Sequence, residues 1–511
     1  VKIQLVEIDA WNGSSVVTLR YSTHGYVTAR SDTPADTSYP ARISESIALV
    51  RNSTSSDKLR GDSSLNIGTL SLVNADGALD FLLDYAYAGR PIRIKQVTQG
   101  EALSTATLIF NGLMEQPQFD WSLSEGSLRF IVRDKAMAVD KPVQGNTYGG
   151  TNSLPSGLDG FTELKGKYKP LLFGHAQQIN PPCINTTRLI YQVSDSAIVD
   201  VGAVYDSGLA LTHGADYADQ ATLESTNPAA GTYRVWPAGG MFRIGSTPKG
   251  LITCDATEGA TAASRYPGAV MGRALLSCGI SAGNIDTASL AALDSACPWE
   301  CGYWAGDGDG TTGTKVLDAL SDSVGGWWSA SADAVFRTGR FVTPSGAAVA
   351  ELHSGNLIAL TRRQGRDADK GVPPWRVTIG YAKYWQPQDV GVDIILAADK
   401  KSDLQQAYRT AVASDTAIQT AYPGAPELRV DTLLRYAADA ATLAASQVSV
   451  FGVRRDILRA EATSASASSI DIGSIVSIRI PRFGFSAGKK FTVIGAILDP
   501  RIDRVTLTLW G

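Results

Sequence analysis

The chain is written in short runs of alternating character. Lys2 to Ile8, Val16 to Tyr21, Ile67 to Val73, Pro91 to Val97, Ala106 to Phe110 and Leu128 to Val132 read as strands with one buried face, separated by turns. Asn74-Ala75-Asp76-Gly77 stands between Leu72-Val73 and the next apolar run, Leu79 to Leu83, and consists of residues that accept turn geometry. This pattern predicts one β-rich domain over 1–140. A stretch rich in Gly, Ser, Asn and Pro, Gly145 to Gly160, then breaks the alternation and marks a first boundary.

Beyond it, Pro170 to Gly174, Leu189 to Val193, Val201 to Tyr205 and Tyr233 to Val235 read as short strands, and helical spacing enters later. Val270 to Ser277 lies between Pro267 and Gly279, and Ser289 to Leu293 follows Asp286, a candidate N-cap. Val316, Leu317, Leu320 and Val324 keep helical spacing after Thr314 until Gly325-Gly326. Trp327-Trp328, Val335 to Val342 and Trp375 to Tyr384 return to an extended pattern. The reading is an inserted α+β domain at 165–364 and a further α+β domain at 372–453. The latter carries a long helix, 431–451, striped by Leu434, Ala437, Ala438, Ala441, Ala444, Ala445 and Val448. Ile470 to Ile480, Lys490 to Leu498 and Arg504 to Trp510, with turns at Pro481 to Gly488 and Asp499-Pro500, make a closing β-domain at 454–511.

Composition supports several cores and a strand-rich fold. The 511 residues are 44% hydrophobic and 19% charged, with 50 Gly and 22 Pro. Lys plus Arg is 46 and Asp plus Glu is 50, for a net charge of −4 without long blocks of one sign, so no electrostatic footprint for tight nucleic-acid binding is present. The opening residues lack the charged-then-apolar order of a signal peptide, and no apolar run is long enough to span a membrane. Five cysteines are too sparse for a disulfide framework, and folding in the cytoplasm is the expectation.

Candidate chemistry is thin. The four histidines, His24, His175, His213 and His353, fall in no zinc-protease motif, and neither a nucleophile elbow nor a phosphate loop occurs. Cys297 and Cys301, with Cys278 and Cys254 upstream, are the candidate metal ligands for zinc or an iron–sulfur cluster if the fold gathers them. Their apolar settings favour structural thiols and no cofactor. Gly306-Asp307-Gly308-Asp309-Gly310 opens like a calcium loop, but Thr312 and Asp318 stand where such loops need Gly and Glu, which favours a solvated turn. The spacing of Asp76, Asp80 and Asp84 suggests one polar helix face rather than a glycosidase pair. Trp304, Trp327, Trp328, Trp375, Tyr381, Tyr384 and Trp385 are read as packing first, and as an interface or a carbohydrate surface after that.

Three stretches, taken in order along the chain, resemble the tail-tip and baseplate hub proteins of tailed bacteriophages and prophages. The first runs from Leu65 to Lys95, through Gly68 to Asp80 and then Gly89-Arg90-Pro91-Ile92-Arg93-Ile94-Lys95. The second joins Lys169 to Gly174, Asn180-Pro181-Pro182, Tyr191-Gln192-Val193 and Val204 to Gly208. The third links Val324 to Trp328 with Asp471 to Val476, Pro481 to Gly484 and Leu507 to Gly511.

The resemblance implies a mainly β fold with α+β parts, containing several β-barrel or sandwich domains of the tail-hub type, and a structural, non-enzymatic role. It implies a homotrimer at the virion tail tip, made in the host cytoplasm. That trimer would form a ring that joins the tube, distal tail protein and tape measure protein to a central tail fibre and lets viral DNA pass without sequence-specific binding. In that frame 1–140 and 454–511 form a pair of similar β-domains, and 165–364 is peripheral. Some tail-tip proteins carry metal clusters, but Cys297 and Cys301 do not align with a cluster motif. The competing functions are a receptor- or carbohydrate-binding tail protein and a cell-wall-degrading tail enzyme.

Overall fold

A computed structural model describes residues 1–45, 49–52, 67–122, 126–153, 155–331, 333–363, 372–389, 391–463, 470–499 and 504–511. Leu65, Asn66, Leu154, Gln364 and Pro500, which the sequence reading uses, lie outside the described residues. The fold is mainly β, with helices concentrated in the second half.

The N-terminal part is an eight-stranded sheet. Its order is Val16–Ser22, Lys2–Trp11, Pro91–Thr98, Thr107–Met114, Gly126–Asp134, Ile67–Val73 and Ile43–Glu45, with Gln118–Trp121 added on Gly126–Asp134, and every pairing is antiparallel. The sheet curls until its first and last strands meet: the Ser22 amide donates to the Pro40 carbonyl (2.8 Å) and the Arg42 amide to the Ser22 carbonyl (3.1 Å). Val6, Ile8 and Ala10 point inward to Leu70, Leu72, Ile92, Phe110, Leu128 and Phe130. Ile3 and Leu5, on the other face of the same strand, are covered by Tyr26 and Tyr39, so apolar residues of this strand are buried on both faces. On that outer face Glu7 sits among Lys95, Arg93 and Tyr39. Burial alone would raise its carboxyl pKa, but the three hydrogen bonds outweigh burial and hold it below the usual range.

The C-terminal sheet runs Ala350–His353, Ile475–Arg479, Lys489–Asp499, Arg504–Trp510, Ile457–Thr463 and Leu357–Arg363. This corrects the boundary drawn at 364: residues 350–363 belong with the last strands, not with the inserted region. Alternation shows that a segment is a strand, but not which distant strand it pairs with. A further strand, Leu49–Asn52, leaves the N-terminal unit and pairs antiparallel with Gly495–Leu498, so that Asn52 faces Gly495 and Leu49 faces Leu498. Leu498 in turn packs against the N-terminal core.

Between the two lie two five-stranded sheets that share a core. Leu172, Ile179, Val204 and Cys254 come from one, and Tyr191, Val235, Phe242 and Ile244 from the other. Beside them, helices Pro267–Ser277, Thr287–Ala296 and Gly313–Asp322 and the long helix Ala437–Phe451 enclose a second core together with the sheet Arg409–Ser414, Arg376–Tyr381, Glu427–Asp431. Asp286 caps its helix, accepting from the amides of Ala288 and Ser289. Gly325, at φ 62°, ends the Gly313–Asp322 helix, and any Cβ there would lie 2.0 Å from Gln447 Nε2. Residues 165–364 and 372–453 thus contribute to one core, with Val316 and Leu320 against Val377, Leu434 and Leu443. The long helix starts at Ala437, not 431: the preceding Thr432 hydroxyl donates to the Gly380 carbonyl (2.6 Å), and Leu433 and Leu434 are buried in extended chain.

The join between the two end sheets depends on a missing side chain. A Cβ on Gly495 would meet Asn52 Oδ1 at 2.4 Å. Gly495→Val is expected to push the Leu49–Asn52 strand off its partner and to cost about 1–3 kcal/mol. Urea unfolding followed by fluorescence, with limited proteolysis around residue 50, measures both effects, and an unchanged midpoint and cleavage pattern would show that the strand pairing is dispensable.

Candidate assembly surfaces and a charged junction

One end of the N-terminal barrel carries large apolar side chains in water. The turn Asn74–Gly77 is held by Asn74, whose side chain accepts from the Leu79 amide (2.8 Å) and donates to Asp80 (2.8 Å). Asp76 takes a bidentate pair from Arg42 (2.7 and 2.8 Å), whose guanidinium lowers the Asp76 carboxyl to about 2. The chain then makes a short 3₁₀ turn, Asp80–Asp84, instead of the α-helical face that the spacing of Asp76, Asp80 and Asp84 suggests. Leu79 and Leu82 are buried in the barrel while Phe81 and Leu83 are 55% and 62% exposed. Trp121, which pairs with Gly126 at the same end, is 81% exposed, and Val73, Trp11 and Val16 complete the rim. Exposed large apolar side chains gathered at one end make this end a candidate contact site. Trp121 is absent from the aromatic residues singled out in the sequence, because exposure at a strand end has no local signal.

The densest group of charges lies where the middle sheets meet the segment leading into the long helix. Glu300 accepts from Arg265 Nε (2.7 Å) and Arg435 Nη1 (3.0 Å), and the Arg435 amide donates to the Glu300 carbonyl. Glu258 accepts from the Gly174 amide and from Arg273, both at 2.8 Å. His175, on Leu171–Ile179, sits beside them with Nδ1 2.9 Å from Thr257 Oγ1, and its Nε2 has no hydrogen-bond partner among the described residues. Burial first, and then the Arg435 charge, lower the imidazole to about 4, so the ring is neutral at neutral pH. These residues come from distant parts of the chain, and nothing in the sequence marks them as a group. Their geometry is that of a rivet between elements, with each carboxylate bridging two segments.

The remaining sequence candidates are dispersed. Cys254 is in the core of the middle sheets, while Cys278, Cys297 and Cys301 are in the helical core. Burial raises all four thiols, Cys278 and Cys297 to about 11, which opposes the thiolate form that a metal needs. Among the described residues no group of three or more His, Cys, Asp or Glu side chains is placed to hold a metal ion. In the 306–310 turn, the Asp309 amide donates to Asp307 and Lys167 pairs with Asp309 (2.5 Å), so an ammonium stands beside the carboxylate. Trp327 and Trp328 are buried, the latter donating to Asp318 (2.6 Å), and Trp385 stacks edge-on against Tyr303 and Trp304. His24 is exposed on a turn, His213 stacks on Tyr233 and meets Asp216, and the His353 side chain accepts from Gly355 in an exposed turn.

No protein-family model matches the chain, and no curated protein matches it in sequence. Among solved structures it is similar to a tail protein from Neisseria meningitidis MC58, at 10% identity and a TM-score of 0.40, covering 100% of this chain and 96% of that one. It is also similar to the 43 kDa tail protein of prophage MuSo2 from Shewanella oneidensis, at 9% identity and 0.39, covering 100% and 97%. A third similar structure is the prophage tail protein gp18 from Listeria monocytogenes EGD-e, at 7% and 0.37, covering 99% and 94%.

The junction makes stability fall with acid. The folded His175 pKa is depressed to about 4 from an ordinary 6.5, so its contribution is complete above pH ~6.5 and is lost as pH drops towards 4, at up to about 1.4 kcal/mol per pH unit. His175→Gln removes this titration. Urea midpoints between pH 7 and pH 4.5 should fall less steeply in the variant, and parallel curves would mean that His175 is not buried neutral.

Proposed function

We propose that this chain is a structural subunit of a bacteriophage tail, the hub of a tail tip or baseplate, built as a homotrimeric ring around a channel for DNA. One observation carries the reading: the chain holds a largely antiparallel sheet at each end, with Ala350–His353 on Ile475–Arg479 a parallel pair in the C-terminal sheet, and the two sheets are stitched together by Leu49–Asn52 on Gly495–Leu498. Two sheet units per subunit give a trimer six similar surfaces, which is what joining sixfold tube rings to a threefold fibre requires. The strand pairing fixes those two units relative to one another. The order of the three sequence stretches that resemble hub proteins supports the same reading.

Mechanically, such a ring transmits force and leaves a passage, so its parts need rigid joints more than reactive groups. The Glu300 and Glu258 bridges and the shared helical core supply such joints inside the subunit. The middle sheets project between the end units and are the natural contact for the distal tail protein and tape measure protein on one side and the central fibre on the other. The virion tail tip is the proposed location, and the proposed role is not enzymatic. Ring interfaces of this kind bury more than ~2,000 Å² and are apolar at their centres.

Cryo-electron microscopy of intact particles tests the proposal. Three copies around the channel at the distal end of the tail tube are expected. Density only in a peripheral appendage would overturn the hub reading in favour of receptor or carbohydrate binding, and clearing of peptidoglycan by the purified chain would favour a wall-degrading enzyme.

A further inference from the structure

The turn at the apolar rim of the N-terminal barrel carries only acidic charges of its own, with Arg42 paired to Asp76 and Arg90 over Trp11 beside it, and one turn of the C-terminal sheet carries the opposite charge. Residues 73–86, which form the rim turn, contain Asp76, Asp80 and Asp84 and no Lys or Arg. Residues 479–490, which join the strands Ile475–Arg479 and Lys489–Asp499, contain Arg479, Arg482, Lys489 and Lys490 and no Asp or Glu. Phe483, at the centre of that turn, is 50% exposed and held at φ 57°, a left-handed conformation that is uncommon for a bulky residue. Several of these charges have partners within the chain: Asp76 pairs with Arg42, Arg479 with Glu351 and Lys489 with Asp456, while Asp80 accepts from the Asn74 side chain and Lys490 donates to the Gly346 carbonyl. Among the described residues neither Asp84 nor Arg482 has an ion-pair partner.

The basic turn lies far from the N-terminal core within one chain. Strand Lys489–Asp499 touches the N-terminal core near its far end, at Leu498, while the basic turn is at its beginning, about 30 Å away at the rise of an extended chain. Resting on the trimeric reading above, we infer that the occupant of the acidic rim is the basic turn of a second copy of this chain. Phe483 enters among Phe81, Leu83 and Trp121, and Arg482 and Lys490 lie against Asp80 and Asp84. Acidic-apolar meets basic-apolar, an aromatic anchor inside a ring of complementary charge. The contact is head to tail, with different surfaces on the two partners, and such contacts close into rings when the rotation between copies allows it.

Analytical ultracentrifugation of the full chain in low salt tests this. The unsubstituted chain is expected to sediment as a trimer and to dissociate more readily as salt is raised. Asp80→Lys/Asp84→Lys and, separately, Arg482→Glu/Lys490→Glu should each weaken association at least tenfold, and Phe483→Ser should weaken it without changing charge. The chain carrying all four charge reversals should return to the trimer. Circular dichroism melts of each variant separate lost association from lost folding. A trimer that survives both double reversals, or a fourfold variant that stays monomeric, would overturn this interface and leave the trimeric hub standing. An unsubstituted chain that is monomeric at every concentration would overturn both.

Discussion

Every β-sheet ends in two rows of unpaired peptide groups, and the way those rows are covered decides the architecture of this molecule. At the N-terminal sheet the first strand bends round to the last, and Ser22 exchanges backbone hydrogen bonds with Pro40 and Arg42. At the C-terminal sheet, cover along Lys489–Asp499 is shared: Ile475–Arg479 takes the first part of the strand and Leu49–Asn52 takes the second. That second cover is borrowed from the other end of the chain. Closing an edge and joining two units are therefore one event, and the position of each end unit follows from it.

Inside, the same economy governs charge. Glu7, Glu258 and Glu300 are largely withdrawn from water, and each is met by hydrogen-bond donors from more than one element, Glu7 by Arg93 and Lys95 of one strand and by the Tyr39 hydroxyl. A buried ion pair of this kind adds modest net stability, because desolvation offsets most of the attraction, but removing one partner is expensive. Its main effect is to specify which elements come together. His175, kept neutral first by burial and then by Arg435, belongs to the same logic: an added proton there would lose its hydration and face Arg435 and Arg265, with Glu300 offsetting part of that repulsion.

Much of the local structure was legible in the sequence. The alternation in Lys2 to Ile8, Leu128 to Val132 and Arg504 to Trp510 corresponds to strands, and Asp286 and Gly325 begin and end helices as their chemistry suggests. The long-range partners were not legible. Ala350–His353 and Leu357–Arg363 look the same whether they close an inserted domain or join the last sheet, because period-two patterning encodes a face and not a neighbour. The Asp76, Asp80, Asp84 spacing pointed to an α-helix, but the chain forms a five-residue 3₁₀ turn there, with Leu79 and Leu82 buried in the barrel core. The charged junction was invisible for a different reason: its members are ordinary residues, spread from Gly174 to Arg435, made significant only by the fold.

The borrowed strand also imposes an order in time. Residues 49–52 leave the ribosome early, whereas their partners at 495–498 are among the last of this sequence to be made. At roughly 5–20 residues per second the wait is on the order of a minute. For most of that interval, once Gly126–Asp134 has been made, the strand is carried without its partner by an N-terminal unit whose other strands are complete. Its brevity, four residues, makes it a poor template for pairing with other nascent chains while leaving it long enough to lock the two ends once both exist. The pairing of Leu49–Asn52 with Gly495–Leu498 is therefore a late docking step in the making of this chain.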